Sequence, residues 1–268
     1  MKKLSSITDL NPSFCGEVVV VGSHGGRATG VTSAAFGVAG LICHDAGIGL
    51  ERAGVACLDW LVGRRIAAAA TCHDSARIGD ADDMMARGVI SCANDLAAEL
   101  GVIPGMPTSE AVGRLTASVD PQPASEALTT FNRDDHKFAS LSVVLCDSVS
   151  QITPADAGHI VVTGSHGGLP GRNPVRAAKA DITMGIFNDA GVGVDQAGLS
   201  RLPALDTRGI PAACVDCMTA RIGDARSTYE QGVFSHVNRS AFALGLQAGM
   251  SVRDAVRLFN SIQTGLNA

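Results

Sequence analysis

Two histidines stand in the same five-residue sequence, Gly-Ser-His-Gly-Gly, once in each half of the chain. His24 follows the apolar run VVVV, and His166 follows IVVT. A histidine between such residues at the end of a strand has little packing role. We therefore expect both rings to serve as an acid, a base or an orienting donor. Our working hypothesis makes His24 or His166 the general base of a reaction.

The residues around the histidines are of the kind that binds anions. Successive glycines at a turn from strand to helix let backbone amides approach a carboxylate or a developing oxyanion. The predicted substrate-binding residues of this motif are Ser23, Gly25, Gly26, Ser165, Gly167 and Gly168. The simpler interpretation is that these glycines only form tight turns.

Further polar residues recur at matching positions in the two halves. We assign Asp189 to catalysis and Asp45 and Asn188 to substrate binding, and we expect Arg77 and Arg221 to anchor a carboxylate. Each has a structural alternative. The aspartates can accept turn amides, and each arginine can pair with an aspartate three residues later.

The nucleophile is open at this stage. Cys72 and Cys217 each lie near the end of a predicted strand, where histidine and backbone amides can lower a thiol pKa. The two halves are offset by 144 residues in this region. Cys72 therefore corresponds to Asp216, and Cys217 is one residue out of register with it. Ser75 and Thr219 share a position and are the alternative hydroxyl nucleophiles. A bound water is the remaining possibility, and either thiol can instead be a core cysteine.

These motifs recur because the chain contains two similar repeats. The histidines are offset by 166 − 24 = 142 residues and the arginines by 221 − 77 = 144. Between them, DAGIGLERAG faces DAGVGVDQAG, and SARIGDA faces TARIGDA. This dense matching predicts an internal duplication.

Each repeat alternates strand and helix patterns. In the first repeat, apolar runs predict strands at 17–22, 41–44 and 66–71, and helical patterns cover 32–39, 51–64 and 90–100. In the second repeat, strands are predicted at 141–146, 160–163, 182–187 and 210–215. Such alternation predicts parallel sheets covered by helices. The polar motifs would then lie beyond the carboxyl ends of the strands, where open sheets bind ligands.

The predicted fold is therefore α/β, with two tandem homologous repeats in a pseudo-twofold arrangement. The first repeat spans 1–117, a linker spans 118–138 and the second repeat spans 139–268. We expect the strand-end motifs to meet in a cleft between the halves or between subunits of a homo-oligomer.

Composition excludes several classes of function. The chain has 268 residues, 46% of them hydrophobic, and a formal net charge of −5, so it offers no basic footprint for nucleic acid or an anionic membrane. The first ten residues contain no apolar run, which predicts a cytoplasmic protein with reduced cysteines. We expect no cofactor and no metal, because no nucleotide-binding fingerprint is present and the single CxxC lacks a second ligand pair.

Three families come near without matching. The cyanuric acid hydrolase and barbiturase family uses a Ser-Lys pair in each of three repeats, which is absent here. The segment AATCHDSA around Cys72 resembles the first cysteine segment of the Asp/Glu racemase superfamily, but DCMTA around Cys217 departs from the second. Caspase-like peptidases place a His-Gly about 50 residues before the cysteine. Here 72 − 24 = 48, but an extra strand and helix intervene.

The hypothesis that follows is a small-molecule hydrolase that cleaves an amide, imide or lactam C–N bond. Its substrate would be anionic or carry a carbonyl group, with the glycine loops binding that group. Two alternatives from other classes stay open. One is a cofactor-independent racemase or isomerase that uses Cys72 and Cys217 as opposed thiols. The other is a non-enzymatic module that binds a small ligand.

Overall fold

The fold is α/β, with two similar halves that each contain one mostly parallel sheet. The computed structural model describes residues 1–116, 131–138, 141–263 and 265. Of the segment predicted as a linker, 118–138, the part 118–130 lies outside the described residues. Its end, Arg133–Phe138, forms a strand at the edge of the second sheet.

The first sheet has five strands in sequential order. They are β1 (Lys2–Leu4), β2 (Val18–His24), β3 (Gly40–His44), β4 (Ala67–Thr71) and β5 (Ile90–Ala93). The first four are parallel, and β5 runs antiparallel to β4. The sheet is therefore mostly parallel, as the alternation of strands and helices predicts, and mixed at this one edge.

The second sheet repeats this order and adds one strand. Its members are β6 (Arg133–Phe138), β7 (Leu141–Cys146), β8 (Ile160–His166), β9 (Met184–Asn188), β10 (Ala212–Val215) and β11 (Phe234–Val237). Strands β7 to β10 are parallel, while β6 and β11 are antiparallel to their neighbours.

Helices cover both faces of each sheet. Within the described residues they are α1 (Arg27–Ala35), α2 (Cys57–Val62), α3 (Ala81–Arg87), α4 (Asp95–Glu99), α5 (Thr108–Leu115), α6 (Arg201–Asp206), α7 (Ala225–Gln231), α8 (Arg239–Ala243) and α9 (Val252–Gln263). Along β2, Val19 and Val21 pack on the face towards α2, and Val18 and Val20 on the face towards α3 and α5. Burial on both faces explains the continuous apolar runs of the strands.

Two predicted helices of the first half are wrong in part. The segment 90–100 is strand β5 followed by the short helix α4, because Asn94 ends the strand and caps the helix by accepting a hydrogen bond from the Ala97 N–H. The segment 51–64 begins as a 3₁₀ turn in which Glu51 and Arg52 have φ values of 53° and 58°. These left-handed residues exclude a continuous α-helix, so α2 starts only at Cys57.

The halves meet through equivalent contacts in both directions. The N–H of Leu50 donates to the Cys217 carbonyl oxygen at 2.8 Å, and the N–H of Val194 donates to the His73 carbonyl oxygen at 2.8 Å. Both pairs are related by 144 residues, since 50 + 144 = 194 and 73 + 144 = 217. Such reciprocal bonds are what a pseudo-twofold arrangement requires. Small apolar residues complete the junction: Ala46, Ile78, Ala190, Ala197 and Ile222.

The halves differ beside the second motif. After His24 the chain enters α1, whereas after His166 it forms two short 3₁₀ turns, Pro170–Arg172 and Pro174–Arg176. Among the described residues, no helix is both long and apolar enough to cross a bilayer.

Candidate functional site

Each Gly-Ser-His-Gly-Gly turn is held by the backbone of the Arg-Ile-Gly-Asp segment of its own half. The N–H of Gly79 donates to the Gly22 carbonyl oxygen at 2.8 Å, and the N–H of Gly223 donates to the Gly164 carbonyl oxygen at 2.7 Å. A Cβ on Gly22 would lie 2.6 Å from the Gly79 carbonyl carbon, closer than packed atoms approach. The first glycine of the motif is therefore needed for this close crossing.

The glycines after the histidine fix the tautomer of the ring. The N–H of Gly26 donates to Nδ1 of His24 at 3.1 Å, and the N–H of Gly168 donates to Nδ1 of His166 at 3.1 Å. An Nδ1 that accepts a hydrogen bond carries no proton, so the proton of the neutral ring is on Nε2. Both histidines therefore present an Nε2–H donor.

Both rings are neutral at physiological pH. Burial lowers the pKa of His24 to about 4, assisted by the charge of His44. Burial also lowers the pKa of His166 well below its usual range, and the positive charge of Arg201 lowers it further. Each cause disfavours the charged imidazolium.

The two histidines line a single cavity between the halves. The cavity has a volume of about 1070 Å³. The ring centroids of His24 and His166 are 6.4 Å apart, and the ring planes are nearly perpendicular at 83°. The Gly-Ser-His-Gly-Gly turns of the two halves therefore meet in one cleft within a single chain, as expected from the sequence.

The serine before each histidine also lines this cavity. Ser23 Oγ accepts a hydrogen bond from the Ile7 N–H at 2.9 Å, and Ser165 Oγ accepts one from the Val149 N–H at 2.9 Å. Because each hydroxyl oxygen is already an acceptor, its own proton is available to a ligand. Two serines and two histidines therefore offer four hydrogen-bond donors.

The described lining of the cavity carries one more cation than carboxylates: five cationic side chains stand against Asp9, Glu51, Asp147 and Asp224. Arg176 pairs with Asp9, and Arg221 pairs with Asp224 and Glu51. Among the described residues, the lining cations without an ion pair are Arg27, Lys179 and Arg201. An anionic ligand would meet these three cations.

Arg201 is the least expected of these cations. Its side chain is buried, at 1% exposure, and burial lowers its pKa to about 10, which leaves it charged at neutral pH. Its Nη groups donate to backbone carbonyl oxygens, including that of Gly168 at 3.0 Å, but its Nε has no hydrogen-bond partner among the described atoms. A buried cation with an unpaired donor is costly in free energy.

Arg201 also distinguishes the two halves. Its equivalent in the first half is Cys57, since 201 − 144 = 57. The backbone N–H groups of both residues make the same bond, to Gly167 and Gly25 respectively. The two positions therefore coincide in the fold, and only the second half carries a cation there.

The glycine amides, in contrast, do not reach the cavity as free donors. Those of Gly25 and Gly167 donate to the carbonyl oxygens of His44 and Asn188, and those of Gly26 and Gly168 bond the histidine rings. The predicted anion-binding nest is therefore occupied by internal hydrogen bonds. The donors that face the cavity are side chains.

The residues that follow β3 and β9 serve local structure. Asp45 Oδ1 accepts from the N–H groups of Gly47 and His73, and Asp189 Oδ1 accepts from those of Gly191 and Cys217. The bonds to Gly47 and Gly191 are the turn geometry that the simpler interpretation of the aspartates predicts, and those to His73 and Cys217 tie each turn to the loop after the next strand.

Asn188 is likewise structural. It is fully buried, its Oδ1 accepts from the Ala190 N–H and its Nδ2 donates to the Ala220 carbonyl oxygen. The equivalent His44 uses its two ring nitrogens in the same way, through Ala46 and Ala76. Neither Asn188 nor the two aspartates line the cavity.

The predicted nucleophiles lie away from the cavity as well. Burial raises the pKa of Cys217 to about 12 and that of Cys72 above its usual value, so neither thiol is activated. Ser75 and Thr219 donate to the carbonyl oxygens of Cys72 and Asp216. Their hydroxyls therefore close turns.

Arg77 and Arg221 join the halves. Arg77 pairs with Asp195 at 2.9 Å, and Arg221 pairs with Glu51 at 3.4 Å, an equivalent contact in the opposite direction. Arg221 reaches the cavity and Arg77 does not.

Several residues that line the cavity were not predicted from the sequence, among them Arg201, Lys179, Glu51 and Asp147. Arg201 and Lys179 lie in no repeated motif, and Arg201 stands opposite a cysteine in the repeat alignment, whereas Glu51 lies within the repeated DAGIGLERAG segment. A comparison of the charged residues that differ between the halves could have found Arg201.

Compared with known proteins, the chain matches no protein-family model, no curated protein sequence and no solved structure. The α/β fold with two similar halves and the cavity between them are therefore the basis for any statement about function.

Proposed function

We propose that the cavity is an active site for hydrolysis of an amide, imide or lactam C–N bond in a small anionic compound. The observation that carries this proposal is the pair of neutral histidines, with ring centroids 6.4 Å apart, that line one cavity and carry their proton on Nε2. Such donors stabilise the negative charge that develops on a carbonyl oxygen during attack.

The histidines act in this proposal as electrophiles and not as general bases. A ring that bears its proton on Nε2 and accepts the Gly26 or Gly168 N–H on Nδ1 has no free lone pair for another proton. Neutral imidazole is a known device for polarising a carbonyl group. This replaces the general-base role that the sequence suggested for His24 and His166.

The positive lining supports an anionic substrate. Arg201, Lys179 and Arg27 have no carboxylate partner among the described residues, and a substrate carboxylate would supply one. Such a charge-assisted pairing would also offset the cost of burying Arg201.

Water is the nucleophile that we propose. Its oxygen attacks the carbonyl carbon, one of its protons passes to a carboxylate, and the C–N bond breaks as the nitrogen takes up a proton. The products are a carboxylate and an amine, or a carboxylate and an amide where the substrate is an imide. Glu51 is the candidate acceptor, because its contacts to Arg221 are long, at 3.4 Å, whereas Asp147 and Asp224 are held by backbone amides.

The two-thiol isomerase finds no support in this geometry, since Cys72 and Cys217 do not line the cavity. A module that binds a small anion without turnover uses the same donors and cations. Hydrolysis and simple binding must therefore be separated by experiment. A homo-oligomer and a cytoplasmic location stay predictions from the sequence.

The test is a panel of carboxylate-bearing amides, cyclic imides and lactams, with mass spectrometry to detect addition of one water. We expect turnover by the wild-type protein, and His24→Ala or His166→Ala should lower kcat by about 10²- to 10³-fold, the usual effect of removing one oxyanion donor. His236→Ala, at an exposed site, is the matched control and should retain activity. Ligand binding by calorimetry without any product would contradict the enzymatic proposal.

The histidine role is tested separately by the pH profile of kcat. Because burial lowers the pKa of His24 to about 4, no histidine limb should appear between about pH 5.5 and pH 8. A limb near pH 6.5 that disappears in His24→Asn would restore the general-base role.

A further inference from the structure

A second group of chemically versatile side chains lies outside the cavity, where the two halves meet. Asp45, Cys72 and His73 each offer one ligand atom, and these atoms all lie within 4.8 Å of one another. Asp45 is buried, while Cys72 and His73 are half-buried. None of the three lines the cavity or takes part in the proposed hydrolysis.

The equivalent positions of the second half form a similar group. Asp189, Asp216 and Cys217 also bring three ligand atoms within 4.8 Å. The offset of 144 pairs Asp45 with Asp189, Cys72 with Asp216 and His73 with Cys217.

The residues exchanged between the two halves fit metal coordination better than packing. Cysteine and aspartate, or histidine and cysteine, differ in size, charge and hydrogen bonding, so packing alone would not favour these exchanges. All of them can ligate a metal ion. What the two halves share at these positions is the ability to donate to a metal.

The geometry of the first group suits a tetrahedral ion. Asp45 Oδ1 and His73 Nδ1 are hydrogen-bonded at 3.1 Å, and the nitrogen and oxygen ligands of a tetrahedral zinc site are separated by roughly 3.3 Å. An ion would replace the proton that these two atoms share. The remaining ligand atoms lie within 4.8 Å of one another, so a shift of about 1 Å brings them to tetrahedral spacing. The backbone amides of Gly47 and His73 orient the Asp45 carboxylate, as outer-shell hydrogen bonds do in metal sites.

We propose that Asp45, Cys72 and His73 bind one divalent transition-metal ion of the zinc type, with water as the fourth ligand. One thiolate, one imidazole and one carboxylate form a ligand set of intermediate softness, which favours zinc over magnesium or calcium. Cys72 releases its thiol proton when it binds the ion, so binding strengthens as the pH rises.

The location gives this site a structural consequence. The His73 carbonyl oxygen accepts a hydrogen bond from the Val194 N–H of the other half. The His73 ring lies beside Gly191, because a Cβ on Gly191 would be 3.0 Å from Cδ2 of His73. An ion on His73 therefore fixes a residue that holds the two halves together. Metal binding should raise the thermal stability of the chain.

The experiment uses the full-length protein, reduced and stripped of metal by a chelator, and titrated with Co²⁺ alone. Cobalt on a thiolate gives a charge-transfer absorption in the near ultraviolet, which reports the Cys72–metal bond directly. We expect this band in the wild-type protein, its loss on addition of Zn²⁺, and a higher Tm with Zn²⁺.

The variants identify the ligands. Cys72→Ser should lose the band of this site, and His73→Asn should weaken binding by at least about 10-fold. Cys92→Ser changes another half-buried cysteine, on the neighbouring strand β5, and should keep full binding. Far-ultraviolet circular dichroism checks that each variant is folded. Absence of the band in wild type, or an undiminished band in folded Cys72→Ser, would overturn the site.

Discussion

The neutral state of His24 predicts a specific loss of stability in acid. The pKa of this ring is lowered to about 4 in the folded protein, chiefly by burial, against about 6.5 in an unfolded chain. Above pH 6.5 the ring is neutral in both states and makes no difference to the free energy of unfolding. As the pH falls below 6.5, the unfolded chain binds a proton that the folded protein does not take up until about pH 4, so the folded state loses stability.

The size of the loss follows from the two pKa values. Each unit of difference corresponds to about 1.4 kcal/mol. The linkage relation gives about 1.4 kcal/mol at pH 5.5 and about 2.5 kcal/mol at pH 4.5, relative to pH 7.5. This effect is large against the total stability of a typical domain, about 5 to 15 kcal/mol.

The appropriate variant is His24→Asn, because the chain already uses this exchange elsewhere. Asn188 occupies the position equivalent to His44, and its Oδ1 accepts the Ala190 N–H as Nδ1 of His44 accepts that of Ala46. An asparagine at position 24 can thus keep the bond to Gly26 without titrating. The free energy of unfolding is measured by urea denaturation at pH 7.5 and pH 4.5, with the exposed-site variant His236→Asn as a control.

Ionisable groups that do not interact with His24 cancel in the comparison of wild type and variant. Wild type should lose about 2.5 kcal/mol more than His24→Asn between the two pH values, while His236→Asn should follow wild type. An equal loss in wild type and His24→Asn would show that this ring titrates normally. The assigned tautomer and electrophilic role would then fail with it.

Two further predictions concern the positions that hold the motifs in place, each checked by urea denaturation at neutral pH. Gly22→Ala should destabilise the protein by at least about 2 kcal/mol, because its Cβ meets the Gly79 backbone at 2.6 Å. Gly113 lies in helix α5, and a Cβ there would meet no atom within 4 Å, so Gly113→Ala should instead stabilise the protein by about 0.5 to 1 kcal/mol. Equal effects of the two changes would contradict the close crossing of Gly22 and Gly79. Arg77→Met, which breaks the partly exposed pair with Asp195, should cost less than about 1 kcal/mol. A larger loss would mean that this pair carries the contact between the halves.

Much of the architecture can be predicted from the sequence because it depends on local patterns. Continuous apolar runs mark strands buried on both faces, and β2 and β8 lie where those runs predict. The offset between the repeats is enough to identify His24 and His166 as equivalent residues. The predictions failed at strand β5 and at the turn Leu50–Val55, because antiparallel edge pairing and left-handed backbone at Glu51 depend on distant contacts.

The sequence by itself determined that two similar halves carry His24 and His166 on glycine turns, since residue type and spacing are enough for that. Only the tertiary structure decided which donors reach the cavity. The N–H groups of Gly25 and Gly167 donate to carbonyl oxygens of the neighbouring strands, and those of Gly26 and Gly168 donate to the histidine Nδ1 atoms, so side-chain protons remain as the ligand-facing groups. The burial of Arg201 beside His166 was equally invisible to the sequence, because it results from the packing of α6 against the second turn.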